Sequence, residues 1–178
     1  MGAKPSDSWA TPQEVFDVLN TKYGPFDLDA AASHDNQMVG RYCTPEGTFS
    51  AHMSGPFLLY GVDGLSANWV GKVWLNPPYS DPYPWIKKAS EEAAKGATVV
   101  ALINWDHTTA YWKEFIGRPE NPVLPRNGVE LFGWPKRVWF NAPAGLLNKH
   151  GKPVARVGNT KASVVVVFRP KVGEGEAR

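Results

Sequence analysis

The sequence contains almost no cysteine and no apolar segment near its start. Its 178 residues include a single cysteine, Cys43, which excludes a disulfide within the chain. Residues 1–8 are polar, and no hydrophobic stretch typical of a secretory signal follows them. The four histidines are widely separated and have no metal-ligand spacing with Cys43. These absences predict a cytoplasmic protein with no metal, no membrane association and no obligate protein partner.

The length and composition indicate one domain of mixed structure. A chain of 178 residues that is 43% hydrophobic can bury one sizeable core and is too short for two full domains. Sixteen prolines and seventeen glycines imply many turns and short elements, which disfavours a helical bundle. We expect one domain over residues 9–170, with residues 1–8 and 171–178 disordered.

The charge is small in total but unevenly distributed. Net charge is +2, yet residues 131–171 hold eight lysines and arginines and no acidic residue. The rest of the chain holds eleven basic and seventeen acidic residues. A basic region on an otherwise acidic chain is typical of a nucleic-acid-facing surface, although an ordinary solvated face would have the same composition. We predict an inserted hairpin over residues 136–161 that directs cations towards phosphates, namely Lys136, Arg137, Lys149, Lys152 and Arg156.

A helix is predicted near the start of the chain. Thr11 has the residue type of an N-cap, Pro12 suits the first helical position, and Gly24 follows the last periodic residue.

Several strands and one more helix are predicted downstream. Their order, strand, helix and strand, is typical of a parallel sheet with right-handed crossovers. The predicted elements are a strand at 26–31 with a polar turn at 33–36, a strand at 72–75, a helix at 84–95 and a buried strand at 98–103.

The remaining segments are less regular. Residues 137–140 and 163–169 have the pattern of strands, with no convincing helix between them, so we expect them to pair antiparallel at the sheet edge. Residues 47–61 show no sustained period, and we expect a long loop with one strand near 57–60.

The tetrapeptide Asn76-Pro77-Pro78-Tyr79 directly follows the predicted strand at 72–75. Ligands of open parallel sheets bind beyond the carboxyl ends of the strands, so this loop is the first place to seek a site. The two prolines fix their own φ angles and hold Asn76 extended, which makes the loop stiff. A proline-stiffened turn without function is the alternative interpretation.

Such a loop suits the methylation of an exocyclic amine. The lone pair of an adenine N6 amine is delocalised into the ring, so an enzyme must draw the nitrogen towards tetrahedral geometry. The Asn76 side-chain oxygen and the Pro77 carbonyl could each accept one N6 hydrogen. Tyr79 could stack on a base that has been flipped out of the duplex.

The chain resembles the Dam-type DNA N6-adenine methyltransferases of phages and prophages from residue 9 to residue 170. The resemblance is carried by WATP at 9–12, FDLDAAAS at 26–33, DGLSANW at 63–69, VWLNPPYS at 73–80 and PWIKKA at 84–89, in that order. It implies a Rossmann-like class I methyltransferase fold, in which a mostly parallel twisted sheet has an antiparallel edge hairpin. It also implies S-adenosylmethionine as methyl donor, duplex DNA as substrate, and a location in a bacterial or phage-infected cell.

The resemblance also implies roles for individual residues. Asp29 would bind the methionine ammonium of the cofactor, Thr11 would lie near its carboxylate, and Asp63 would accept from its adenine amino group. The complete set of implied cofactor residues is Trp9, Thr11, Pro12, Asp29, Ala30, Ala31, Asp63 and Asn76. In this chain AAAS stands where many class I methyltransferases have a glycine-rich loop.

Several of these residues have structural alternatives. Asp29 could be a helix N-cap, and Asp63-Gly64 is an ordinary turn signal. Trp105 could line the base pocket or cover the edge of the core. Core packing is the better explanation for the tryptophans in or beside predicted elements, namely Trp69, Trp74, Trp85, Trp112 and Trp139.

Three other functions are compatible with the motif. The same tetrapeptide serves methyltransferases that act on RNA or on protein glutamine. A methyltransferase-like domain could also bind DNA without turnover, and a purely structural domain would not bind the cofactor at all.

Overall fold

The computed structural model describes residue 7 and residues 9–44 and 63–170. Within these ranges the chain forms a five-stranded sheet, a separate two-stranded hairpin, two α-helices and one short π-helix. The predicted loop at 47–61, its strand near 57–60 and the tail at 171–178 lie outside the described residues, as do residues 1–6 and 8.

Helix α1, Gln13–Tyr23, begins two residues after Thr11, and its N-cap is Pro12. The prediction that Thr11 is the N-cap was therefore wrong. Pro12 has an extended backbone with ψ of 139°, and its carbonyl already accepts bonds from the N–H groups of Val15 and Phe16. A residue with non-helical torsions whose carbonyl accepts the first helical bond is by definition the N-cap. The helix ends at Tyr23, and Gly24 follows it as the C-cap, as predicted.

The first three strands of the sheet are parallel. Strands β1 (Leu28–Asp29), β2 (Lys72–Leu75) and β3 (Thr98–Asn104) pair in that order, with Val73 opposite both Leu28 and Val99. Helix α2, Tyr83–Ala94, forms the crossover from β2 to β3. The strand at 72–75, the helix after it and the parallel pairing of its neighbours confirm the predicted order.

The other half of the sheet is antiparallel. Strand β7, Ser163–Phe168, lies between β3 and β4, Val129–Gly133, and pairs antiparallel with both. The expected edge pair of 137–140 with 163–169 was therefore wrong. All six residues of β7 are buried, as befits an interior strand that is apolar almost throughout. The sequence analysis missed strand β4, in which none of the residues is fully buried and the sequence pattern of a strand is weak.

A hairpin forms in the basic segment. Its strands are β5, Trp139–Asn141, and β6, Arg156–Gly158, which pair antiparallel with Phe140 opposite Val157. The far side of β5 is bridged by Ala10, which exchanges backbone hydrogen bonds with Asn141. The segment before α1 is thereby attached to the hairpin.

The sheet is covered on both faces. On one face, α2 and the π-helix Trp112–Ile116 pack against alternate residues of β2, β3 and β7. On the other face, α1 packs together with Val138 and Phe140 of the hairpin. The hairpin therefore contributes to the core, and it is not a detached arm.

Most of the tryptophans lie in the core, as predicted. Trp69, Trp74, Trp85 and Trp112 are all at most 5% exposed. Trp139 is 53% exposed, so the prediction was wrong for this residue. Successive residues of a strand point to opposite faces, and Val138 and Phe140 occupy the inner face of β5. In the described part of the chain, no helix is long and apolar enough to cross a membrane.

Candidate active site at one edge of the sheet

Polar residues collect at the carboxyl edge of the three parallel strands. Asp29 ends β1, Asn76 follows β2, and Asn104 ends β3. Because β7 is antiparallel, its first residue, Ser163, lies opposite Asn104 at this same edge. Strand β4 also ends there, since Gly133 pairs with Val164. The chain leaves the sheet for the hairpin and returns from it at this edge.

Asn76 has a buried acceptor that is unused in the described structure. Its Oδ1 atom is inaccessible to solvent and makes no hydrogen bond with any described residue. Leaving a buried polar atom without a partner costs roughly 1–3 kcal/mol. Such atoms are therefore rare except where function requires them. Pro77, the next residue, is buried. A turn residue would be expected to use its side-chain oxygen within the loop, so this arrangement disfavours the purely structural interpretation.

Tyr79 lies against the hairpin. Its ring contacts Phe140 in a T-shaped arrangement with centroids 5.5 Å apart, and its hydroxyl is buried without a hydrogen-bond partner among the described residues. Burial raises the pKa of this hydroxyl above its usual range, so Tyr79 is neutral at physiological pH. The following residue, Ser80, donates from its N–H and hydroxyl groups to the carboxylate of Asp7.

Trp9 also contacts Phe140, the residue on which Tyr79 packs. Its ring stacks on Phe140 with centroids 6.3 Å apart and an interplanar angle of 28°. The Trp9 Nε1–H group is also buried and makes no hydrogen bond within the described ranges. The sequence analysis missed Phe140, which joins Trp9 to Tyr79. Val138, Trp139 and Phe140 are three consecutive apolar residues, so no signal in the sequence singled out Phe140.

Asp29 is a buried carboxylate that contacts no cationic side chain among the described residues. It is 3% exposed and accepts backbone hydrogen bonds from Met38 at 3.0 Å and from Ala31 at 3.4 Å. Burial raises its pKa from 3.8 to about 7, although these two bonds act in the opposite direction. No helix begins within the described residues 30–44 that follow Asp29, so the alternative interpretation as a helix N-cap was wrong. A cationic group beside this carboxylate would restore its ionised form.

Asp63 lies close to the end of β1 but its carboxylate is already used. Its two oxygens accept from the Leu65 N–H and the Ser66 hydroxyl, both at 3.0 Å. Gly64 is packed against the Ala30 carbonyl so tightly that an added Cβ would lie 2.0 Å from that oxygen. The DGLSANW motif therefore packs against Ala30, next to Asp29. Asp63 stabilises the turn through which Gly64 makes this contact.

The other residues predicted for the cofactor lie on two sides of the site. Ala31 is half-buried beside Asp29, to whose side chain its N–H group donates. Thr11 and Pro12 are buried at the start of α1. Among the described residues, no hydrogen bond links Thr11 to Asp29 or Asn76. The segment 9–12 is instead connected to Tyr79, because Trp9 contacts Phe140 and Phe140 contacts Tyr79.

The five predicted DNA-contacting cations are all exposed on or beside the hairpin. Arg156 is paired with Glu14 of α1, at 3.1 Å between Nη1 and Oε1. In the described part of the chain, the other four have no acidic partner within ion-pair distance. These four are Lys136, Arg137, Lys149 and Lys152. The hairpin thus presents positive charge that the described residues do not neutralise.

The loop after β3 supports the base of the hairpin. Asp106 pairs with Lys161 at 2.5 Å, and this bond lowers the pKa of the Asp106 carboxyl well below its usual value. Asn159 donates to the Asn104 side chain at 2.6 Å.

Trp105 is 42% exposed, and its ring lies over Gly133 at the end of β4. The Trp105 ring therefore packs at the edge of the sheet, while part of it stays exposed to solvent.

Comparison with known proteins supplies the family. The family described as DNA N-6-adenine-methyltransferase (Dam) matches residues 2–176. The chain belongs to this family. It is thus a member of a family of DNA adenine methyltransferases, which confirms the resemblance found in the sequence.

Two phage proteins are similar to the chain along most of its length. The DNA N-6-adenine-methyltransferase of Escherichia phage T1 is 29% identical, and the match covers 97% of the chain and 66% of the phage protein. The enzyme of the same name from Haemophilus phage HP1 (strain HP1c1) is also 29% identical, with 97% of the chain and 84% of the relative covered. No solved structure matches the chain.

Proposed function

We propose that this protein transfers a methyl group from S-adenosylmethionine to N6 of an adenine that has been flipped out of duplex DNA. The observation that carries the proposal is the buried, unpartnered Oδ1 atom of Asn76 at the carboxyl end of β2. Family membership supports adenine as the substrate base, and this atom supports the loop after β2 as the site of the reaction.

Asn76 and Pro77 are the proposed catalytic residues for the amine. The Asn76 Oδ1 atom and the Pro77 carbonyl would each accept one N6 hydrogen, which localises the nitrogen lone pair as positive charge develops. Pro77 and Pro78 restrict the backbone, so little reorganisation is needed when the base arrives. The Asn76 acceptor already lacks a competing partner within the described structure, so the hydrogen bond to substrate would not have to displace one.

Tyr79 is proposed to stack on the flipped adenine. Phe140 packs against the Tyr79 ring and Trp9 packs against Phe140, so the ring is held by aromatic contacts on the hairpin. Base flipping is needed because the target amine cannot be approached in line within the stacked duplex. A base would thereby lie between Tyr79 and the acceptors of the same loop.

Asp29 fits a cationic group of the cofactor. S-adenosylmethionine supplies a methyl group activated by its positive sulfonium, and it also carries an ammonium. Within the described residues, the buried Asp29 carboxylate accepts hydrogen bonds from backbone N–H groups alone, which suits it to receive that ammonium. Ala30, Ala31 and the Gly64 approach form the adjoining wall, whereas Asp63 would have to share an oxygen with the turn it stabilises.

The basic hairpin is proposed to hold the DNA. The four cations without acidic partners would contact phosphates, and Arg156 would do so only by giving up Glu14. We further propose that the sheet, with its site at the carboxyl edge, is of the Rossmann-like class I type. We also propose that residues 9–170 act as one domain, in the cytoplasm of a bacterial or phage-infected cell.

The test is methyl transfer from labelled S-adenosylmethionine to DNA, RNA and protein offered separately. We expect label in DNA, at N6 of adenine, and mapping N6-methyladenine in a methylation-deficient host that expresses the protein would give the site. Label found only in RNA or protein would overturn the proposal. DNA binding without label would indicate a binding domain instead.

The residue-level test is Asn76→Ala. We expect kcat to fall about a hundredfold to a thousandfold, because one preorganised contact to the reacting nitrogen is lost, while most DNA affinity remains. The matched control is Asn127→Ala, an exposed asparagine before the start of β4 at the opposite edge of the sheet. Equal methylation rates for the two variants would refute the role of Asn76.

A further inference from the structure

Trp139 lies on the outer face of the hairpin, opposite in direction to Phe140. The ring is 53% exposed, whereas Phe140 is fully buried. Gly158 pairs with Trp139 across the hairpin, and a Cβ added to Gly158 would lie 3.1–3.2 Å from three atoms of the six-membered ring. The indole therefore covers Gly158 with one side and leaves about half of its surface open.

The surroundings of this ring are cationic. Arg137 is two residues earlier on the chain, just before β5, and Lys136 precedes it; both are exposed. Neither has an acidic partner among the described residues, whereas Arg156, on the paired strand, is held by Glu14. One exposed apolar residue needs no explanation by itself, but a flat ring beside unpaired cations has the composition of a nucleic-acid stacking surface.

The position of Trp139 relative to the active site limits what it can contact. Phe140, the adjacent residue, packs on Tyr79, and the hairpin leaves and rejoins the sheet at the edge that holds Asn76. Because neighbouring side chains of a strand point in opposite directions, Trp139 faces away from Tyr79. Trp139 is therefore adjacent in the chain to a residue that packs on the proposed adenine pocket, and its own ring lies outside that pocket.

We propose that Trp139 stacks on a DNA base adjacent to the flipped adenine. This inference rests on the proposed function and adds an aromatic contact to a surface so far defined by charge. When an adenine leaves the stack, a neighbouring base loses a stacking partner. An indole that takes its place would offset part of the cost of flipping, and every base offers the π-face required.

The matched variants are Trp139→Phe and Trp139→Leu. Both keep an apolar side chain over Gly158, but only phenylalanine keeps a π-face. The probe is a duplex oligonucleotide that carries the site mapped in the methylation-deficient host. We expect Trp139→Leu to lower kcat/KM roughly tenfold to a hundredfold, and Trp139→Phe to retain most of it. Val70→Ala, an exposed apolar residue before β2 at the far edge of the sheet, is the control and should not change kcat/KM.

Two further measurements separate stacking from other effects. On the same duplex with an abasic nucleotide opposite the target adenine, the defect of Trp139→Leu should shrink, because an unpaired adenine is less costly to flip. The slope of log affinity against log salt should not change, because no cation is removed. The rise in melting temperature produced by S-adenosylmethionine, equal to that of wild type, would show that each variant is folded.

The inference fails if Trp139→Leu methylates the paired duplex as well as wild type does. It also fails if Trp139→Phe is as impaired as Trp139→Leu, since packing on Gly158 would then explain the loss. Both results leave the proposed function intact. A wild-type protein that labels RNA or protein but no DNA would overturn the proposed function and this inference together.

Discussion

The loop after β2 and the hairpin β5–β6 meet at one edge of the sheet, yet they are built in opposite ways. Among the described residues, the loop has buried polar atoms without hydrogen-bond partners, on a backbone stiffened by two prolines. The hairpin has exposed cations without acidic partners in that same part of the chain, on short strands joined by a long connection. Chemistry on one nitrogen requires a group that is already in place and free of water. Attraction of a phosphate backbone requires charge that remains accessible. Phe140 joins the two regions because its ring contacts Tyr79 directly.

Asp29→Asn should have the largest effect, because it changes a buried carboxylate at the same edge of the sheet and leaves the exposed hairpin unchanged. Asp29 has a pKa of about 7 in the fold against 3.8 in the unfolded chain, so the folded state binds the proton more tightly between these values. The contribution of Asp29 to the free energy of unfolding is therefore lost as pH rises from about 4 to about 7, by at most about 4 kcal/mol. In the Asp29→Asn variant this pH-dependent loss should be absent.

Urea unfolding at several pH values would measure this effect. Asp35→Asn, at an exposed carboxylate in the turn after β1, is the control and should keep the wild-type profile. Asp29→Asn should also weaken S-adenosylmethionine binding about tenfold to a hundredfold, through loss of a charge-assisted hydrogen bond. Calorimetric affinity equal to that of wild type would show that Asp29 does not bind the cofactor.

Lys136→Gln and Arg137→Gln test the exposed side. Each should make the slope of log affinity for duplex DNA against log salt less negative by about 0.9, because one phosphate contact is lost. S-adenosylmethionine affinity should be unaffected. Lys113→Gln, an exposed lysine on the π-helix across the sheet, is the control. If all three variants share the wild-type slope, the hairpin is not the DNA surface.

Glu14→Gln should have the smallest effect, and it would leave Arg156 of the hairpin without its acidic partner. The Glu14–Arg156 pair is more than half exposed at both ends, so its loss should change the free energy of unfolding by less than about 1 kcal/mol. Arg156 would then be available to phosphate, and DNA affinity at low salt should rise by up to about fivefold. Titration of a labelled duplex measures this, and an unchanged affinity would remove Arg156 from the DNA surface.

The sequence by itself determined the parallel half of the sheet and the position of the NPPY loop. The strand at 72–75, the helix after it and the buried strand predicted at 98–103 have strong local patterns, and the parallel crossover follows from their order. Ordered family motifs then identified the enzyme class. These features depend on near neighbours in the chain, which is why local patterns reveal them.

Tertiary structure alone decided the antiparallel half and the burial of individual site residues. The pairing of β7 with β4 and of β5 with β6 joins segments whose partners no local pattern specifies. Likewise, the raised pKa of Asp29, the unused acceptor of Asn76 and the exposure of Trp139 depend on which distant residues pack beside them. Burial and partner choice are properties of the whole fold, and single motifs do not contain them.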